Sequence, residues 1–420
     1  MIFEMATIPT RRLRRREMLK LTGIATIMTA FAGDCLGRSR PSLDAYLPRL
    51  KSAHGRLAGY LTELVAGAKL RLGNGPTLLM PQAGGGYSGV WPDDSLYPLM
   101  ALPALANKEE LQGTIQFLSG SVLGLECVPD RVEPDGLPIL SPGPSDKPPM
   151  TYRMPLHLPA PWIRVLDYYQ HFGVEIPQKK AWAKLIERSL AHVPFANGLA
   201  YADPQNPPIG FGYFDSIKVA GWELMSSLVL MRGLERAVVL FEGDIAADVR
   251  EHWAQLAKGI RANLYRLYDA KIGGYVEGSR IGYQFSVWGN GLIYSLATPE
   301  AKTKIVQFFR DHQSAIFLRG CTRQIAEPGW AGNGPGDSYK NGGFWATGTG
   351  YALPALADQD PTFAVQLAEE LVQNLPKISF AEWIGPDGNP AGAQRFLGSV
   401  SLPLLGLKSV LEKRPLLDYF

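Results

Sequence analysis

From position 42 onward, apolar residues recur every three to four positions. SLDAYLPRLKSAHGRLAGYLTELVAGA, behind Ser42 as a candidate cap, has the period of a helix with one buried face. The same period predicts helices over 94–106, 109–119, 161–171, 179–191, 215–233, 246–268, 284–296, 299–313, 344–357, 361–374 and 398–412. Strand-like runs are few and short, at 77–80, 274–277 and 282–285, each beside glycines. The pattern predicts an all-α fold.

The connections alternate between short ones and long stretches rich in Gly, Pro and aromatics, notably 128–155, 196–214 and 315–341. Loops of that length inside a compact domain are usually functional, and their aromatic content argues against disorder. Three segments share a habit: GGGYSGVWPDD, GGYVEG and NGGFW each put glycines just before an aromatic. If helical hairpins ring a common axis, such insertions gather at one end. Tyr87, Trp91, Tyr275, Trp330, Phe344 and Trp345 are then expected to wall a pocket, with Gly342 and Gly343 letting the chain curl into it. Aromatic faces suit the apolar side of a sugar ring, and acids and amides address its hydroxyls.

Of 420 residues, 46% are hydrophobic and 19% charged, an ordinary globular balance. The N-terminus differs. Arg15-Arg16-Glu17-Met18-Leu19-Lys20, a short apolar run and Ala30-Phe31-Ala32 have the layout of a twin-arginine signal peptide. Residues 1–32 are expected to be removed after export by the twin-arginine machinery to the periplasm or beyond, leaving 33–420 as one domain without stable membrane insertion. Removal takes away six Lys/Arg and two acids, leaving 36 basic against 37 acidic residues, a formal charge of −1. The mature chain therefore carries no basic field for nucleic acid or anionic lipid. No Cys/His spacing suggests a metal site, no cofactor is implied, and Cys127 and Cys321 could pair outside the cytoplasm, a geometry their sequence positions do not decide.

Four segments carry a resemblance: WPDDSLYPLMAL from Trp91, FGYFDSIKVAGWELMSSL from Phe211, DSYKNGGFWATGTGYAL from Asp337 and AEWIGPDGNPAGAQRFLGSVSL from Ala381. Their order is similar to that of the six-hairpin glycosidases, the (α/α)6 barrels that include trehalases, neutral invertases and the glucosidases trimming N-linked glycans. The YxNGGxW form around Tyr339 and Asn341 is the most specific. The resemblance implies an (α/α)6 toroid of six helical hairpins, a carbohydrate substrate and inverting hydrolysis. It places the general acid on Asp215 and the general base on Glu382, and a sugar-holding role on Asp93 or Asp94. Pro92 stands where related enzymes often have an Arg.

Glycoside hydrolysis needs one carboxylic acid to protonate the departing oxygen and a second carboxylate to activate water. Each candidate also has an ordinary reading. Asp215, and Asp93 or Asp94, could cap helices; Glu382 could be a solvated surface acid; Trp345 could be core. A capping Asp has a lowered pKa, a poor trait in a general acid, so Glu223 is the fallback if it faces the pocket. Glu277 is a third carboxylate or the partner of Arg280, Glu327 is similar, and Asn341 either ties its loop or touches sugar.

Two other enzyme classes use such toroids. Epimerases rely on histidines, and here His54, His171, His192, His252 and His312 are scattered through helical patterns. Polysaccharide lyases use Tyr, His and Arg, for which Tyr152, Arg153 and His157 remain available. A carbohydrate-binding protein without catalysis would keep the aromatics and lack facing carboxylates.

Overall fold

The computed structural model describes residues 42–140, 154–214, 217–326 and 342–420. The leader residues, with Asp215, Glu327, Trp330, Tyr339, Asn341, Tyr152 and Arg153, lie outside that set. The helical body is Tyr46–Phe420.

Twelve helices of seven residues or more alternate in two layers among the described residues. The outer ones are α1 (Leu47–Ala68), α3 (Lys108–Val122), α5 (Lys179–Ala191), α7 (Ala247–Asn263), α9 (Pro299–Asp311) and α11 (Pro361–Asn374). The inner ones are α2 (Pro92–Ala101), α4 (Pro159–His171), α6 (Leu224–Leu240), α8 (Val287–Ile293), α10 (Ala346–Gln359) and α12 (Gly398–Glu412). Each inner helix packs on the next, α2 on α4, then α6, α8, α10, α12 and back to α2, so the ring closes. This is an all-α (α/α)6 barrel.

Outer and inner helices bury their residues differently. On α1 only Leu50, Ala53, Leu57, Leu61, Leu64, Val65 and Ala68 are buried, one stripe at helical spacing. On α12 every residue from Gly398 to Leu407 is buried. Such a helix has neighbours on all sides, and small residues set how close they come. A Cβ on Gly350 of α10 would run into the Leu402 carbonyl oxygen of α12, and one on Gly406 into that of Gly350. Gly350→Ala is therefore expected to lose stability, by about 2 kcal/mol, because overpacking outweighs alanine's better helix propensity. Urea denaturation checks this, and an unchanged or raised midpoint would contradict it.

A β-hairpin follows each outer helix and leads into the next inner one. Examples are Lys69–Arg71 with Thr77–Leu79 before α2, Arg131–Val132 with Pro138–Ile139 before α4, and Trp383–Ile384 with Pro390–Ala391 before α12. Single bridges such as Val90 with Val132, Ser286 with Ile325 and Phe344 with Ile384 tie neighbouring hairpins into a collar. The inner helices thus all present their N-termini at the collar end, where helix dipoles favour negative charge. The described parts of the glycine-aromatic segments, 84–94, 273–278 and 342–345, and the connection 196–214 lie at that end. The returns from inner to outer helix are short.

One boundary moves. The helix expected over 215–233 begins at Leu224, because Ala220 bridges to Ile281 and Gly221–Trp222 pairs as a strand with Tyr201–Ala202. Gly221 takes φ of 85°, which a helix does not use. Asp215 therefore does not cap this helix; Glu223 holds the capping position. Cys127 and Cys321 are both free thiols.

Candidate active site

The collar end assembles a cluster around Glu382. Its Oε1 accepts from the Tyr87 hydroxyl at 3.0 Å and its Oε2 from the Ala393 backbone N–H at 3.0 Å. The second bond comes from the return strand of its own hairpin, where the Glu382 N–H in turn reaches the Ala393 carbonyl. Gly392, at φ of 67°, lets that strand curl around the carboxylate. Glu382 is 5% exposed and held through both oxygens. It is not a solvated surface acid.

Tyr87 links the base candidate to the other acidic motif. Its ring meets Trp91 edge-on at 5.2 Å, and Trp91 immediately precedes α2. Trp91 is fixed from behind: Nε1 donates to Asp130 at 3.0 Å and the Arg131 guanidinium sits over its ring at 5.0 Å. Arg131 also donates to Glu133 at 2.8 Å, whose other oxygen accepts from Ser88. Burial pushes Asp130 up to about 6. So an Arg does reach this corner, from the hairpin before α4 rather than from the Pro92 position.

Asp93 and Asp94, in the first turn of α2, face different partners. Asp93 is buried in an ion pair with Arg164 of α4, with His157 Nε2 3.7 Å away. Asp94 is half-buried and accepts from the Tyr213 hydroxyl. Tyr213 is held by its carbonyl, which accepts from Gln324 Nε2 at 2.6 Å, and lies near enough for the negative charges of Asp94 and Glu382, after burial itself, to push its phenol up. The structure thus brings Trp91, Asp94 and Glu382 together with Tyr87 and Tyr213, and sets Asp93 aside on Arg164.

The other predicted residues lie elsewhere in the collar. Trp345 is fully buried between Trp288 and Trp383, so its indole is core. Phe344, the preceding residue, is buried beneath the Arg323 guanidinium at 4.4 Å. Tyr275 is buried edge-on to Tyr268 at 5.3 Å. Glu277 ties two inner helices: Oε1 accepts from the Met225 N–H at the start of α6, and Oε2 from Ser286, the cap of α8.

Beside Glu277 lies Glu223, 1% exposed. Its Oε2 accepts from Ser226 at 2.8 Å and its Oε1 has no hydrogen-bond partner. Burial lifts both glutamates to about 8, so each is protonated at neutral pH. His157 moves the other way, pushed down to about 4 by burial, and its Nδ1 lies 3.2 Å from the Gly210 carbonyl. A stability profile follows. The unfolded chain loses the glutamate protons near pH 4.5 while the folded protein keeps them to about 8, so these groups lower stability as pH rises through that window. His157 opposes this only below its unfolded value of 6.5. The melting temperature is expected to fall from pH 6.5 to 8, with a shallower slope in Glu277→Gln; an equal slope would contradict the assignment.

Tyr213, Arg131, Asp130 and Arg164 were not singled out from the sequence. Only Tyr213 carried a signal, as part of the Gly-Phe-Gly-Tyr lead-in. Among the described residues, no group of three or more His, Cys, Asp or Glu could hold a metal ion, and no helix is long and apolar enough to cross a membrane.

The fold is that of the (α/α)6-barrel glycosidases. No family model and no curated protein matches the sequence; the likeness is structural. A solved glycosidase variant superposes at TM-score 0.55 with 14% identity, covering 88% of this chain and 98% of its own. GH63 mannosylglycerate hydrolase from Thermus thermophilus, in complex with glucose, gives 0.54 at 14% identity over 83% of this chain and 99% of that one. A bacterial glucoamylase complexed with acarbose gives 0.56 at 15% identity, covering 80% of this chain and 51% of the other.

Proposed function

We propose that this protein is an exported glycoside hydrolase acting on an oligo- or polysaccharide by inversion, with Glu382 as general base. The observation that carries the reading is the Glu382 carboxylate, fixed by Tyr87 and Ala393 beside Trp91 and the Asp94–Tyr213 pair. A base held through both oxygens is oriented to take a proton from water, and Asp94 can accept from sugar hydroxyls. The structural neighbours, a mannosylglycerate hydrolase and a glucoamylase among them, are consistent with this chemistry. Trp91 and Tyr87 supply the aromatic wall.

The acid must arrive protonated. The motif resemblance assigns it to Asp215. A specific observation favours a second candidate: Glu223 immediately precedes the mid-barrel helix, keeps its proton to about pH 8, and leaves Oε1 without a partner. Inversion requires the acid and base carboxyl groups roughly 6.5–9.5 Å apart, leaving room for the attacking water. The lyase alternative loses support because His157 is buried behind Phe211 against the Gly210 carbonyl, with its basicity reduced.

The test is to incubate residues 33–420 and the variants Glu382→Gln, Asp215→Asn and Glu223→Gln with a panel of oligosaccharides, following reducing ends and anomer by NMR. Turnover lost in Glu382→Gln and in one of the other two names the base and the acid. Unsaturated products would instead indicate a lyase, and binding without turnover a carbohydrate-binding protein. Export rests on the Arg15-Arg16 leader and is tested by Arg15→Lys/Arg16→Lys, which should retain the protein in the cytoplasm.

A further inference from the structure

The segment from Ile209 to Tyr213 does two things at the site. It lays Gly210 against the Glu223 carboxyl group so closely that a Cβ at position 210 would run into Oε2. Three residues later it delivers the Tyr213 hydroxyl to Asp94 Oδ1. Both contacts engage groups that the proposed hydrolysis needs for substrate: Asp94 to hold sugar hydroxyls, and Glu223 as a candidate proton donor.

The chemistry of the Tyr213 contact is that of a bound saccharide. A phenolic O–H donating to a carboxylate oxygen is the same charge-assisted bond that a sugar O–H would make there. The aromatic ring lies edge-on to Trp288 at 5.9 Å, so the side chain as a whole resembles a hydroxylated ring seated in the barrel mouth. Tyr213 is half-buried, and its phenol is held at Asp94.

Among the described contacts the segment is held through its carbonyls, with Phe211 buried against His157. The Ile209 carbonyl accepts from the Leu156 N–H at 2.9 Å, the Gly210 carbonyl from the His157 N–H at 3.3 Å, and the Tyr213 carbonyl from Gln324. No strand ladder runs through it: after the strand Leu199–Ala202, the next element is the single 3-10 turn Gly212–Phe214. Gly210 and Gly212 flank Phe211, and glycines permit the backbone rotations that a hinge needs.

We propose that Tyr213 is a resident stand-in for substrate: its hydroxyl fills the place of a sugar hydroxyl at Asp94, and saccharide binding displaces the Ile209–Tyr213 strap, releasing the phenol from Asp94 and uncovering Glu223 together. This rests on the reading of Asp94 as a sugar-binding residue. It makes Tyr213 a competitor that substrate must displace, and so a determinant of which saccharides enter. Only a sugar offering Asp94 a donor at least as good as the phenol can open the strap.

The experiment compares wild type with Tyr213→Phe, which keeps the ring and removes the hydroxyl. Isothermal titration with D-glucose, D-mannose, D-galactose and their disaccharides is expected to show about tenfold tighter binding to Tyr213→Phe, the worth of one bond to a charged group. KM for any hydrolysed saccharide should fall by a similar factor. In wild type, the saccharide that binds should speed amide hydrogen exchange across 210–213. Equal or weaker binding to Tyr213→Phe, or sugar-induced protection of those amides, overturns the proposal. Its fate separates from that of the hydrolase reading: tighter binding without turnover keeps this inference and sinks hydrolysis, whereas turnover with weaker binding does the reverse. No binding of any saccharide by either protein overturns both.

Discussion

Glu382→Gln is expected to lower kcat by about a thousandfold while leaving the fold intact. General-base catalysis contributes typically 10²- to 10⁴-fold, and an amide cannot accept the proton that an attacking water must lose. The neighbours make this a clean substitution. Two donors point at the carboxylate, the Ala393 N–H and the Tyr87 hydroxyl. The glutamine oxygen can keep the first bond. Its NH₂ group then faces Tyr87, whose hydroxyl can turn and accept, so both of these described bonds have a replacement. Stability should change by less than about 1 kcal/mol. Single-turnover kinetics and thermal unfolding on the same preparation check the two halves. Activity within tenfold of wild type would remove Glu382 from the mechanism, and a collapsed melting temperature would make it a structural residue.

Parts of this architecture were legible in the sequence for a definite reason. The helices 179–191, 361–374 and 398–412 have the expected boundaries, and the start of the second is marked by a local signal: Asp360 caps it with Pro361 in its first turn. Helix α6 was placed nine residues early because Val219–Leu224 is apolar throughout most of its length and shows no period. Only its pairing with Tyr201 and Ile281, each some 20 to 60 residues away in sequence, makes that stretch extended. Most hairpins were invisible for a similar reason. Their strands are mostly two or three residues long, too short for alternation to register.

The site shows the same division. Motif spelling pointed to the segments holding Trp91, Asp94 and Glu382, since each lies next to a helix or turn signal. It could not distinguish a wall from a core aromatic. Phe344 and Trp345 are adjacent, and both are buried, one under Arg323 and the other between two tryptophans. Nor could it pair Trp91 with Asp130 or Asp93 with Arg164, contacts that the closed ring creates across 39 and 71 positions. Of two neighbouring acids with the same helix-entry signal, which one is neutralised depends on what α4 carries opposite.

That neutralisation supplies the second large effect: Arg164→Met is expected to destabilise the protein by about 3–5 kcal/mol, the cost of leaving a buried charge without its partner. The Arg164 guanidinium lies between the rings of Tyr97 and Phe420, at 5.0 and 4.9 Å, and pairs with buried Asp93. Burial already pulls its pKa down to about 9. Methionine fills much of the volume but leaves the Asp93 carboxylate, among its described ion-pair partners, with His157, which burial keeps neutral. An unpaired buried Asp favours its proton, so its folded pKa rises above the unfolded value. The variant should therefore regain stability as pH falls through that raised pKa, with activity lower than wild type because Asp94 shares the same helical turn. Arg164→Met/Asp93→Asn removes the stranded charge and should recover most of the loss, since a neutral replacement of a buried pair is often tolerated. Urea unfolding at two pH values measures all of this. A double variant no more stable than Arg164→Met would show that the arginine acts through its packing on Tyr97 and Phe420, and that Asp93 carries no charge there to be balanced.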